Sequence, residues 1–137
     1  MNERIEELLE HFSGNNPAPA EDLASLQQHF RAFGKELPSD LREVLEASDG
    51  AEGFVNRNYL MLWGAAEIIA CHKAYDVDVY APGLILFGSS GGGEAYAYDI
   101  RQASGMPVVK VPFVGMSLEY ADVLAPTFTE FLESLAK

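Results

Sequence analysis

Apolar residues recur at helical spacing towards both ends of the chain and at strand spacing in its middle. Ile5, Leu8, Leu9 and Phe12 stand at i, i+3, i+4 and i+7, one face of a short helix. Gly14, Asn15, Asn16, Pro17 and Pro19 then break the pattern, so Ser13 to Pro19 reads as a loop. Leu23, Leu26, Phe30 and Phe33 repeat at helical spacing. Glu21 and Asp22 sit at the end where the helix dipole favours acids, and Gly34 is a natural stop. A third helix opens at Leu37-Pro38-Ser39-Asp40, where the Ser39 hydroxyl can cap free amides. Leu41, Val44 and Leu45 form its inner face, and Asp49-Gly50 its end, with Gly50 suited to a left-handed turn.

The middle changes period. Tyr59 to Trp63 is rich in strand formers. Ala65 to Tyr75 returns to helix, with Ile68, Ile69 and His72 near one face, and Asp76 to Gly83 reads as a loop. Leu84-Ile85-Leu86-Phe87 is an unbroken apolar run, which suits a strand covered on both faces. Gly91, Gly92 and Gly93 allow a sharp turn, and Glu94 to Asp99 alternates small and large residues as a strand does. Pro107 to Val111 is a further strand, and Phe113 to Val123 carries no decisive pattern. Thr127-Phe128-Thr129-Glu130 has the form of a capping box, and Phe128, Phe131, Leu132 and Leu135 supply the face of a closing helix. Helices flanking a run of strands predict an α+β domain, a central and mostly antiparallel sheet with helices covering one face. Residues 1–19 are expected to form a helix and loop of the same domain as residues 20–137.

The glycine run invites a phosphate-binding reading, and the residues around it argue against one. A Walker-type loop needs Lys and Ser or Thr after its last Gly, whereas Glu94 and Ala95 follow here. A dinucleotide fingerprint opens a helix, whereas this run leads into a strand pattern. The Cys71-His72 pair is adjacent, and neighbours on a helix do not face each other. His11, His29 and His72 lack any zinc-binding spacing, and Asp76 and Asp78 lack the Gly and Glu of a calcium loop. Ser89 sits outside a nucleophile-elbow pattern. No catalytic residue, cofactor or metal is therefore expected.

Charge narrows the partner class. The net charge is −12, spread as 11 acids against 4 bases in residues 1–50 and 10 against 5 in residues 51–137. Without a basic stripe, direct binding to nucleic acid is not expected, since that affinity comes largely from neutralising phosphates. An acidic surface suits a basic partner and speeds its encounter. The one cysteine, Cys71, has no internal partner, no apolar run approaches the ~20 residues of a bilayer span, and no secretory leader pattern follows Met1. A reducing, cytoplasmic setting without membrane attachment is the expectation. The oligomeric state is not legible.

The order of these motifs resembles a known family. Leu37-Pro38, Asp49-Gly50, Trp63, Phe87-Gly88, Gly92-Gly93, Tyr98-Asp99, Pro107-Val108 and Phe128-Thr129-Glu130-Phe131-Leu132 follow one another as in the SUKH superfamily. Its members are the bacterial relatives of the fungal cell-wall regulators of the Smi/Knr type. The resemblance spans roughly residues 20 to 136. It implies an α+β fold, no enzymatic activity, and Trp63, Gly92 and Gly93 as fold determinants. It also implies an immunity-type protein that binds and neutralises a cognate toxin, nucleases being frequent targets. The alternative within the family is a regulatory or scaffold module with no toxin partner. Candidate partner-binding carboxylates are Asp49, Glu52, Asp76, Asp78 and Glu94, with Tyr75 and Tyr80 as aromatic anchors. Tyr96 is expected to be half-buried packing.

Overall fold

Among the described residues, seven strands form one antiparallel meander in which sequence neighbours are hydrogen-bonded to one another. The computed structural model describes residues 2–137. Its strands are β1 (Ser13–Gly14), β2 (Ala51–Val55), β3 (Asn58–Leu62), β4 (Leu84–Ser89), β5 (Glu94–Asp99), β6 (Val108–Pro112) and β7 (Asp122–Ala125). The helices are α1 (Glu3–Leu8), α2 (Ala20–Arg31), α3 (Ser39–Ala47), α4 (Ala65–Ala74), α5 (Val77–Tyr80) and α6 (Phe128–Leu135). The expected α+β class is therefore what the chain adopts. Three elements went unread. β1 lies within the expected loop at 13–19, α5 within that at 76–83, and β2 gave no signal. The undecided stretch at 113–123 contains a 3₁₀ turn (Leu118–Tyr120) and the start of β7.

All six residues of β4 are buried. Successive side chains of a strand point to opposite faces, so the sheet is covered on both sides at its centre rather than on one. The apolar run at 84–87 already carried that signal. One covering layer is aromatic. Phe87 lies 4.8 Å from Tyr98 and 5.7 Å from both Phe128 and Phe131 of α6, while Tyr96 lies 4.7 Å from Phe131. Tyr96 is buried there, as packing. α4 packs against β4 and against α2. Ile5 of α1 is fully buried in the same core.

β4 bulges between Leu86 and Gly88. The Trp63 N–H donates to the Phe87 carbonyl at 3.1 Å, which satisfies the bulged residue. A Cβ on Gly88 would lie 2.4 Å from the Met61 carbonyl oxygen, so the close approach of β3 demands glycine. In the β4–β5 turn only Gly91 needs its freedom, with φ +82° and the Tyr59 ring 2.8 Å from where a Cβ would be. Gly92 and Gly93 have room for a side chain. The amides of Gly91 and Gly92 donate to the hydroxyls of Ser89 and Ser90, at 3.0 and 3.3 Å. The turn thus spends on its own serines the donors that a phosphate would need.

The caps differ from expectation at α3. Pro38 occupies the cap, Ser39 is the first helical residue, and no side-chain hydrogen bond caps the helix. At α6 the Thr127 hydroxyl accepts from Glu130 N–H at 3.1 Å, the expected half of the capping box.

Candidate partner-binding surface

The segment from Tyr75 to Tyr80 gathers apolar and acidic groups on the outside of the fold. α4 ends at Ala74, and the chain reverses through Asp76 in a left-handed conformation, φ +49°. α5 then anchors itself by Val77, which is fully buried. Its other residues face out: Val79 is 72% and Tyr80 59% exposed. Tyr75, 41% exposed, leans on Phe113 at a ring separation of 4.9 Å, beside the 92% exposed Val114. Asp76 and Asp78 lie between these side chains, both exposed. Asp76 makes no side-chain hydrogen bond among the described residues. Periodicity had marked 76–83 as a loop, so the helical turn that presents Tyr80 was not legible.

Asp78 has a second role. Its Oδ1 lies 2.8 Å from Nε2 of His72. His72 is 7% exposed, and its Nδ1 has no partner among the described residues. The ring stands edge-on to His29 of α2 at 4.9 Å, with Phe33 5.5 Å from His72 and 5.6 Å from His29. Burial, and then the neighbouring His72, hold the His29 imidazole below its ordinary value, partly opposed by Asp78. Two imidazoles and an aromatic ring thus form the floor beneath the α4–α5 corner. The sequence showed two histidines on separate helices and nothing to bring them together.

The remaining candidate carboxylates are engaged elsewhere. Asp49 is half-buried, and its Oδ1 accepts from Ala65 N–H at 2.8 Å, capping α4 across the chain. Gly50 takes the expected left-handed turn beside it, φ +90°. Glu52 is exposed on β2 and accepts from the Tyr59 hydroxyl, which raises the Tyr59 pKa. With Gly50, Trp63 and Glu67 it borders a cleft of about 230 Å³. Glu94 pairs with Lys110 at 3.6 Å. The five therefore do not form one cluster: Asp76 and Asp78 share a segment, Asp49 and Glu52 flank the start of β2, and Glu94 starts β5. Among the described residues no three His, Cys, Asp or Glu side chains are placed to hold a metal ion. Burial raises the Cys71 pKa, which keeps it a thiol and a poor nucleophile.

Most of the positive charge is neutralised within the molecule. Arg4, Arg31, Arg42, Arg101 and Lys110 each pair with an acid, out of nine lysines and arginines. Acids exceed bases by 12 over the whole sequence.

A sequence model of the SMI1 / KNR4 family (SUKH-1) matches residues 17–134. The chain belongs to this family. No curated protein matches it significantly. The SUKH match takes in α2 to nearly all of α6, and with them the bulge at Phe87-Gly88 and the whole of the 75–80 segment. It leaves out α1 and β1. The SUKH motifs divide by role: Trp63 is buried and its amide closes the bulge, whereas Gly92 and Gly93 meet no steric demand within this chain. No helix among the described residues is long and apolar enough to cross a membrane.

Proposed function

We propose that this SUKH protein is an immunity-type binder that neutralises a basic toxin domain, with Tyr75, Asp76, Asp78, Val79 and Tyr80 as its docking face. The observation that carries the reading is the concentration of exposed apolar side chains in that six-residue stretch. Tyr75, Val79 and Tyr80 are three of the seven large hydrophobics exposed among the described residues. Family membership supports a protein partner, and the charge of −12 supports a basic one. A nuclease cleft is built to hold phosphates and offers such a surface. The acidic field, to which Glu52 and Glu94 contribute, steers the encounter. Tyr75 and Tyr80 then supply buried anchors, while Asp76 and Asp78 meet cationic groups at their rim. Occlusion of the toxin's cleft is the inhibitory act, and it needs no chemistry from this chain.

The test is a pull-down from the native cell at low and high salt, followed by rebinding of the recovered protein. Support is one basic protein that is toxic when expressed alone, harmless with this chain, released by salt, and bound more weakly by Tyr80→Ala and Asp76→Asn. Recovery of several non-toxic housekeeping proteins, or full protection by both variants, would overturn the reading.

A further inference from the structure

Two helices begin beside one another on the side of the sheet where Tyr98 ends. The first turns of α3 and α6 line a pocket of about 470 Å³ together with Tyr98, Met106 and Pro126. Asp40 ties the two helices. Its Oδ1 accepts from Leu41 N–H at 2.9 Å, and its Oδ2 accepts from the amide and hydroxyl of Thr129 at 3.1 and 2.9 Å. Both carboxylate oxygens are therefore engaged. Tyr98 is 1% exposed, fixed by rings of Phe87 and Phe30 at 4.8 and 5.9 Å. Its hydroxyl is buried and has no partner among the described residues. Buried polar groups in native proteins are nearly always paired, so an unpaired one in a pocket wall points to a missing acceptor. Burial, and then the Asp40 charge, push the Tyr98 pKa well above its ordinary value, so the group keeps its proton and acts as a donor.

The chemistry of the occupant follows from this wall. A protonated phenol needs an acceptor. The first-turn amides of Leu41, Thr129 and Glu130 are taken by Asp40 and Thr127, which leaves those of Ser39, Asp40 and Phe128 as donors nearby. An anion is disfavoured by the Asp40 carboxylate and by the net charge of −12. Pro38, Met106, Pro126 and Phe128 make the rest of the wall largely apolar. We infer that this pocket binds a small neutral molecule whose carbonyl oxygen accepts a hydrogen bond from the Tyr98 hydroxyl and whose compact apolar body lies against Met106 and Phe128. Contact requires a wall side chain to move aside. Met106 is half-buried, unbranched and preceded by Gly105, and it is the lining residue best able to do so.

The probe is N-acetylpyrrolidine, a neutral amide on an apolar ring, titrated against the full chain while the Met106 methyl and Thr129 amide resonances are followed. Acetate is the charged comparator. The expected result is a saturable shift at both reporters with the amide and none with acetate. Tyr98→Phe, which stays folded because it removes one buried oxygen, should bind the amide about tenfold more weakly, as loss of one hydrogen bond predicts. Absence of a saturable shift with the amide, equal binding by Tyr98→Phe, or preferential binding of acetate would each overturn the inference. Loss of stability in Tyr98→Phe without any amide binding would assign the hydroxyl to an ordered water instead.

Discussion

Asp78 Oδ1 meets Nε2 of the buried His72 at 2.8 Å, and this contact fastens the four-residue α5 to α4. Isolated helices this short do not persist, because the cost of the first turn is not recovered. α5 therefore depends on two ties, the buried Val77 and the Asp78 carboxylate. Asp78→Ala would leave both nitrogens of His72 without partners. It is expected to cost about 1–2 kcal/mol in urea unfolding, the penalty of an unsatisfied buried polar group. Asp78→Asn keeps an acceptor oxygen and should lose less.

Asp49 and Asp76 separate structure from recognition. Asp49→Ala removes the cap of α4 and is expected to lower stability by about 1 kcal/mol while leaving affinity for the partner unchanged. Asp76→Asn keeps a residue that tolerates the left-handed conformation. It should change stability by no more than about 0.5 kcal/mol. Its effect should fall on partner association, with a slower on-rate and a shallower salt dependence. Paired denaturation and stopped-flow measurements distinguish the two; a slower on-rate for Asp49→Ala would place it in the interface.

Gly88→Ala tests the bulge. Its Cβ would press on a backbone oxygen of β3, and backbone cannot swing aside as a side chain can. The expected loss is about 1–3 kcal/mol, the range for overpacking. Gly93→Ala meets no atom within 4 Å and should be close to neutral in the same assay.

Two groups predict how stability depends on pH. His29 is held below its ordinary 6.5 in the folded chain, so the unfolded chain takes up its proton first. Stability from this source is complete above about pH 6.5 and is lost as pH falls from there towards the folded value. The hydrogen bonds from Arg101, whose guanidinium meets Asp99 at 3.0 and 2.8 Å, hold that carboxyl below its ordinary 3.8. That contribution is present above about pH 3.8 and is lost below it. Urea midpoints should show both descents, with His29→Gln removing the upper one and Asp99→Asn the lower one.

Legibility followed the length and regularity of each signal. α2, α3, α4 and α6 repeat apolar residues at helical spacing, and β4 and β5 carry an unbroken run and an alternation. β1 has two residues and α5 has four, too few for any period to appear. β2 reads Ala-Glu-Gly-Phe-Val, with neither clean alternation nor an apolar run, and it is a strand because β3 lies beside it in full register. Ser39 looked like a cap because serine caps well, yet Pro38 takes that place and Asp40 reaches across to α6 instead.

The sequence by itself determined the α+β class, the central buried strand, the acidic balance and the family, since periodicity, composition and motif order are properties of the chain as written. Only the tertiary structure decided what each acid does. It turned Asp49 into a helix cap and Asp78 into the partner of His72, and it left Asp76 open between Tyr75 and Tyr80. It also buried the Tyr98 hydroxyl without a hydrogen-bond partner among the described residues. A side chain's charge is set by its residue type, but its partner is set by which distant elements pack against it, and that information is not local to any stretch of sequence.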